Sequence, residues 1–354
     1  MESEKGMKDM KKRSFKAVLL LFVLTTLTIA LGGCSGDKKG DISSQITIGI
    51  PQDLEDSLDP HKMVTAGTRE VLFNIFEGLV KVTSDGDFVP AVASSYEETE
   101  GGKVYTFTLR DNVKFHDGST VTAEDVKFSL DKCADTSAGE PLVAAFSNID
   151  SVNILDGKTV QVVLKEADTE FLAYMTTAII PASNADPDTN PIGTGPYKFV
   201  SRSPQENFVM ERFDDYWGEP AYIKDVTFKI CANADTIVMD LEGGSIDMFA
   251  RVTSTQAAEL SDNFNVLEGT MNLVQALYLN NAEAPFDNEK VRQALCYAID
   301  PQEIMMMVSD GKGTEVGSSM FPSFGKYFMP ELNDTYNTDI EKARELLKEA
   351  GFED

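Results

Sequence analysis

Four thiols and two imidazoles are the side chains of this 354-residue chain best suited to covalent or metal chemistry: Cys34, Cys133, Cys231, Cys296, His61 and His116. Cys34 is placed for acylation. It follows Leu31-Gly32-Gly33, small residues that suit a processing cut, and a thiol freed at such a cut can take a lipid. The other three thiols lie far apart without C-x-x-C spacing, and an odd number cannot complete a disulfide framework, so buried free thiols are expected. Neither imidazole has a second His or a Cys at metal-ligand spacing, so no metal site is expected. A hydrolase of the Ser-His-Asp kind would need a G-x-S-x-G elbow, which the chain lacks. Gly193-Thr194-Gly195 lacks the spacing of a phosphate loop. The neighbouring pairs Glu124/Asp125 and Asp214/Asp215 read as helix caps and solvated faces rather than as catalytic pairs. No cofactor is called for, and the chain is not expected to be an enzyme.

The elements that carry these groups begin outside the globular part. Lys11, Lys12, Arg13 and Lys16 precede an apolar run from Ala17 to Leu31, 15 residues long. That is short of the ~20 residues that span a bilayer, and the basic, apolar and small-residue sequence reads as a secretory signal peptide over residues 1–33. Residues 34–44 are small and polar and read as a tether. The formal charge is −27. Such a surface repels nucleic acid, so no nucleic-acid partner is expected. The 42% hydrophobic content with 21 Phe excludes a disordered chain.

Ile46, Ile48 and Ile50 alternate with Thr47 and Gly49 as in a strand. Leu58-Asp-Pro-His61 breaks into a loop. A helix is expected over Arg69–Val80, with Val71, Leu72, Ile75, Phe76 and Leu79 on one face. Strands are expected at 104–110, 160–164, 197–200, 226–230 and 277–279, and Asp117-Gly118 reads as a turn. Thr122 with Asp125 forms a capping-box pattern. Phe171–Met175 reads as helical, capped by Asp168 or Thr169, and Thr236–Leu241 as a short helix stopped by Gly243-Gly244. Asp287 is the expected cap of the helix carrying Val291, Ala294, Leu295, Ala298 and Ile299. Asp300-Pro301 opens another helix, whose Met305–Met307 run reads as core filler. The last helix runs over 340–350 with Asp339 as cap and Gly351 beyond its end. Strands and helices mix without a regular repeat, which fits an α/β protein of two lobes.

The first 34 residues resemble a bacterial lipoprotein signal, which makes Cys34 the lipidated residue of a membrane-anchored, extracytoplasmic protein. From Ile46 to Gly351 the chain resembles the extracellular solute-binding protein family 5, the peptide- and nickel-type receptors of ABC importers. Leu58-Asp59-Pro60, Ile75-Phe-Glu-Gly-Leu79, Tyr105-Thr-Phe-Thr-Leu-Arg110, Val113-Lys-Phe-His-Asp-Gly118 and Thr122-Ala-Glu-Asp-Val126 carry the first half of the likeness. Pro191-Ile-Gly-Thr-Gly-Pro-Tyr197, Asp215-Tyr-Trp217, Gly244-Ser-Ile-Asp247, Val291-Arg-Gln-Ala-Leu295, Ala298-Ile-Asp300 and the stretch Ala343–Gly351 carry the rest, in family order.

The resemblance implies a type II periplasmic-binding-protein fold, with two lobes, a hinge and ligand trapped between them. Lobe 1 is expected over 45–270, with a subdomain at about 81–190 inserted; lobe 2 begins at 271, with Met271–Gln275 as hinge and floor. Family members continue beyond the helix that ends here, so the resemblance implies a truncated member with an incomplete second lobe. The implied ligand is a short peptide or similar small solute, and the implied partner is an ABC permease with its ATPase subunits. A chelated metal, an opine, a glycan fragment or a sensor role are the alternatives, and a monomer is expected. Three stretches resemble the family's cleft lining: the hinge segment, the backbone of Val64, Thr65 and Ala66, and the loop Phe249, Ala250 and Arg251. The guanidinium of Arg251 suits a ligand carboxylate, against the plainer reading of an ion pair. The other motifs read as scaffold: Phe115–Gly118 as a turn, Gly193 and Gly195 as a tight backbone path, Trp217 as a packed aromatic, and Arg292 as a surface or interlobe ion pair.

Overall fold

A computed structural model describes residues 44–352 apart from 138, 232, 234, 235, 261, 270–272 and 321. The signal, Cys34, nearly all of the tether and Met271 of the expected hinge lie outside the described residues. Strand β1 (Gln45–Ile50) leads through a long loop into helix α1 (Ala66–Leu72). There follow β2 (Val80–Val82), β3 (Phe88–Pro90), β4 (Ala93–Thr99), β5 (Val104–Leu109), α2 (Ala123–Ala134), β6 (Ile149–Asp156) and β7 (Thr159–Leu164). The chain returns through β8 (Tyr197–Ser203), β9 (Asn207–Arg212), β10 (Asp225–Ile230), α3 (Ile237–Glu242), β11 (Met248–Phe249) and α4 (Ser254–Leu260). Helices α5 (Glu289–Ala298), α6 (Pro301–Ser309) and α7 (Ile340–Glu349) complete it.

Two sheets organise the strands. In one, the order is β11-β1-β10-β9-β8. Its centre is parallel: Ile46 faces Val226 and Ile48 faces Phe228 across β1 and β10, and Gly49 faces Phe249 across β1 and β11. One face packs Leu54, Leu58, Val71, Leu72 and Ile75 against Phe208, Met210, Val226 and Phe228. The other sheet, β4-β5-β7-β6, is antiparallel. It closes over α2 and buries Tyr105, Phe107, Val160 and Val162 with Val126, Leu130, Phe146 and Phe171. Helix α2 starts where the sequence puts it: Thr122 accepts from the Asp125 N–H and Asp125 reaches back to the Thr122 N–H, the reciprocal cap that satisfies two orphan donors.

Several expectations are corrected. The helix expected over 69–80 is only α1. Ile75, Phe76 and Leu79 are buried as the pattern requires, but their stretch is not helical. The carbonyls there serve distant partners: Asn74 O accepts from Tyr197, Ile75 O from Gly195, Glu77 O from Ile179 and Gly78 O from Val92. Phe171–Thr176 is a 3₁₀ helix that starts after Glu170, without a side-chain cap; Asp168 accepts the Glu170 N–H instead. Asn288, not Asp287, caps α5. Leu277–Leu279 pairs with no described strand, and Tyr278 is 90% exposed. Helix α6 has the Asp300 cap and the initial Pro301, but it buries no residue, and Met307 is 79% exposed; the methionine run is not core among the described residues. Cys133 and Cys231 are buried free thiols as expected, whereas Cys296 is exposed because it lies off the α5 face that carries Val291 and Ala294. Arg292 makes a hydrogen bond to the Phe286 carbonyl (2.7 Å) in place of the expected ion pair.

A candidate ligand mouth at the carboxyl ends of the parallel strands

Open parallel sheets bind ligands outside the carboxyl ends of their strands, where strand-to-loop turns leave backbone and side chains reachable. Here β1, β10 and β11 end together at Ile50, Ile230 and Phe249. Two of the three expected contact stretches follow from those ends, 64–66 through the loop after β1 and 249–251 directly from β11; of the expected hinge, residues 273–275 are described and lie in no helix or strand.

The loop from 51 to 65 is held rigid by charge. Arg202 of β8 donates to the carbonyls of Leu54 and Glu55, at 2.7 Å each, and pairs with Asp53 at 3.2 Å. Burial pushes the Asp53 carboxyl up, but bonds from the Gln205 and Leu54 N–H groups and from Arg202 outweigh it and hold the group below its usual range. Farther along, buried Asp59 accepts from Lys132 of α2 at 2.7 Å. His61 beside it is buried and bonds the Ala178 carbonyl at 2.8 Å through Nε2. Burial lowers its pKa, so it is a neutral core imidazole.

The backbone of Val64 and Thr65 is already engaged. Glu55 accepts the Val64 N–H at 3.1 Å and the Thr65 N–H at 3.2 Å. Burial raises the Glu55 carboxyl, yet these bonds with those of the Thr65 and Thr68 hydroxyls hold it below the usual range. Thr65 is the N-cap of α1, accepting from the Thr68 N–H, and Ala66 is the first helical residue. The stretch is therefore a capped helix start rather than a free strand edge, with the Val64 side chain 77% exposed. Phe249 is half-buried over Gly49, where a Cβ would meet its ring at 2.6 Å. Ala250 and Arg251 are exposed beyond it. Arg251 takes a left-handed backbone, φ +66°, which costs a non-glycine residue free energy. It forms an ion pair with Glu70 of α1. The structure thus brings the 249–251 loop to the helix that begins at 66, and sequence reading missed Glu70, the residue that joins them. The signal for it was its place on the helix that follows the loop after β1.

Several of the other motifs meet elsewhere, in a knot around Glu77. Half-buried Glu77 accepts from Tyr216 Oη and Trp217 Nε1, both at 2.7 Å, and from Thr194 Oγ1 at 3.1 Å. Burial raises its pKa despite these three donors. His116 donates from Nε2 to the Gly195 carbonyl (3.0 Å) and accepts the Gly193 N–H at Nδ1 (3.3 Å), which fixes its tautomer. Burial pushes its pKa down to about 4. At Gly193 a Cβ would lie 2.1 Å from the Ile75 carbonyl oxygen, so a side chain has no room. Trp217 carries Arg110 over its ring at 4.4 Å. An open groove of about 730 Å³ between α2 and β6 contains none of the expected contact residues. Among the described residues no group of three or more His, Cys, Asp or Glu could hold a metal, and no helix is long and apolar enough to cross a membrane.

The fold is that of the type II periplasmic-binding proteins. The profile of the bacterial extracellular solute-binding proteins, family 5 Middle, matches residues 87–354, and the chain belongs to that family. It is 30% identical over 312 residues to the glutathione-binding protein GsiB of Salmonella typhi, covering 84% of this chain and 60% of that protein. It is 28% identical over 374 residues to the oligopeptide-binding protein AppA of Bacillus subtilis, covering 97% and 68%. Among solved structures, the ABC transporter substrate-binding protein CtaP of Listeria monocytogenes superposes with a TM-score of 0.73 at 26% identity, covering 87% of this chain and 65% of that one. The periplasmic binding protein DppA of Helicobacter pylori, in complex with peptide STSA, gives 0.69 at 26%, covering 87% and 66%. The chain spans about 60% of the length of the first of these curated relatives.

Proposed function

We propose that this chain serves as the extracytoplasmic substrate-binding lipoprotein of an ABC importer. Anchored through a lipid on Cys34, it captures short peptides and hands them as a monomer to a membrane permease with its ATPase subunits. Lobe 1 over 45–270 and a second lobe from 271 would close on the ligand, a hinge motion in which bound ligand favours the closed state. The observation that carries this reading is Arg251, held exposed at the carboxyl ends of the parallel strands against Glu70 of α1. A guanidinium there offers a planar two-toothed site for a ligand carboxylate. Phe249 and Ala250 would form its apolar flank. Val64, Thr65 and Ala66 would contribute side-chain and carbonyl contacts, since Glu55 holds two of their N–H groups. The names of the relatives, which bind glutathione, oligopeptides and a tetrapeptide, support a peptide-like ligand. Binding without turnover is the expected behaviour.

Native mass spectrometry of the purified chain tests this. A ladder of co-purified small masses, released on denaturation, is the expected result, and a bare protein after exposure to glutathione and mixed short peptides overturns the reading. In the same assay Arg251→Ala should weaken retention of a carboxylate-bearing ligand roughly tenfold, the scale of one lost charge-assisted bond. A mass fitting an opine or a metal chelate would redirect the ligand class while keeping the receptor role.

A further inference from the structure

Arg251 stands alone. Between Lys229 and Lys290 it is the only basic residue, and ten Asp and Glu share that stretch. It also holds a left-handed backbone that a glycine would adopt without cost. A lone cation in strained backbone is kept where its charge has a use. In the structure that charge is met by Glu70, projecting from α1, with both side chains more than half exposed.

We infer that Glu70 is a specificity-determining residue of the mouth: it is the built-in counter-ion of Arg251, which a ligand carboxylate must displace to bind. This rests on the reading of Arg251 as the ligand's anion site. Geometry supports the exchange. Glu70 lies on a helix pinned from behind by Thr65 and Glu55, so its carboxylate is presented from a fixed base. The pair is solvated, so breaking it does not strand a charge in a dry interior. An exposed pair shifts an equilibrium by no more than roughly fivefold, so Glu70 sets a threshold and not a barrier. It would reject weak single-point anions and admit ligands that hold Arg251 with two oxygens or add contacts elsewhere. Without Glu70, a lone guanidinium in an acidic stretch would collect any small carboxylate in the medium.

The test reads Arg251 directly. Wild type and Glu70→Gln are treated with phenylglyoxal, and modification at Arg251 is followed by peptide mapping, with succinate as the competing small anion. Glu70→Gln should react roughly two- to fivefold faster, the range an exposed pair allows, and should be protected by succinate at lower concentration. Equal rates and equal protection overturn the assignment. Glutathione affinity is then measured for wild type, Glu70→Gln, Arg251→Ala and the double variant. A two- to fivefold gain in Glu70→Gln that vanishes in the Arg251→Ala background supports the inference. A gain that persists without Arg251 is a general charge effect and overturns it, as does unchanged affinity in Glu70→Gln. If the phenylglyoxal result is as expected and no variant holds glutathione or peptide, the receptor reading fails while the role of Glu70 as counter-ion stands.

Discussion

Glu70 and Glu77 lie seven residues apart and meet opposite fates. Glu77 sits in the knot, half-buried, with three neutral donors and its proton held more tightly than usual. Glu70 sits in the mouth, in water, with a full cation. In a dry site a carboxylate needs fixed donors, because an unmet lone pair costs the whole desolvation penalty. The result is rigidity: loop 191–197, the Tyr216-Trp217 pair and the chain at 74–79 are locked together. In the wet site each charge can swap its partner at little cost. The knot therefore sets the shape, and the mouth retains exchangeable charge, as a binding site requires.

The largest break of that contrast is expected at Gly193. A Cβ there would lie 2.1 Å from Ile75 O, and the contact is backbone on both sides, so nothing flexible can yield. Gly193→Ala should cost about 3 kcal/mol or prevent folding, seen as a fall in the urea midpoint. Gly157→Ala, at a turn with open space, should stay within about 0.5 kcal/mol. Equal effects at the two positions would mean that the knot is not close-packed.

Next comes pH. His116 is held neutral, with a folded pKa of about 4 against the ordinary 6.5 of a free imidazole. Its folded pKa is depressed, so the unfolded chain takes up the proton first. Stability from this group is therefore complete above pH 6.5 and falls as pH drops toward 4, by up to about 3 kcal/mol. Urea melts at pH 7 and pH 4.5 should show this loss in wild type, and His116→Gln should flatten it. An unchanged slope in the variant would put the imidazole in water. Somewhat smaller is Glu77→Ala, about 2 kcal/mol at neutral pH from three donors left without their acceptor. Its folded pKa is raised, so the wild-type carboxyl is relatively favoured as pH falls toward 4.5 and the deficit of the variant should widen there.

Much of the antiparallel sheet and its helix α2 was legible in the sequence, and little of the knot or the mouth was. Alternating Val, Tyr, Phe and Leu at 104–109 and the Thr122–Asp125 box specify their elements locally, because pleat and cap chemistry need only neighbours. The stretch 73–79 has an apolar pattern that serves a helix equally well. It is unwound because the carbonyls of residues 74, 75, 77 and 78 bond chain segments far off in sequence, which no local pattern encodes. The Met305–Met307 run shows the reverse failure: its cap is right and its helix forms, yet composition alone does not say what a helix packs against. Arg251 was visible as a residue type. Its partner was not, since Glu70 and Arg251 are 181 positions apart and are joined by a two-residue strand pairing at Gly49.

The smallest expected effect sharpens the comparison most, because it separates shape from exchangeable charge inside the mouth itself. Glu55 is a carboxylate like Glu70, but its partners are the N–H groups of Val64 and Thr65 and the hydroxyl of Thr65, not a cation. Glu55→Gln keeps one acceptor oxygen and removes the charge. Loss of stability should stay under about 1 kcal/mol, since the group is only half-buried. Its folded pKa lies below the usual 4.5, so its contribution is present above pH 4.5 and is lost as pH falls through the folded value. Wild type and variant should thus converge in acid. The local consequence is larger than the global one: amide hydrogen exchange at residues 64–66 should speed in the variant at pH 7, while the knot at 74–79 keeps its protection. If both segments speed together, the loop and the knot open as one unit, and the division between a shape-setting knot and a separately tunable mouth fails. If only 64–66 responds and Arg251 keeps its phenylglyoxal reactivity, then Glu55 holds the helix start in place while Glu70 alone answers to the ligand's charge.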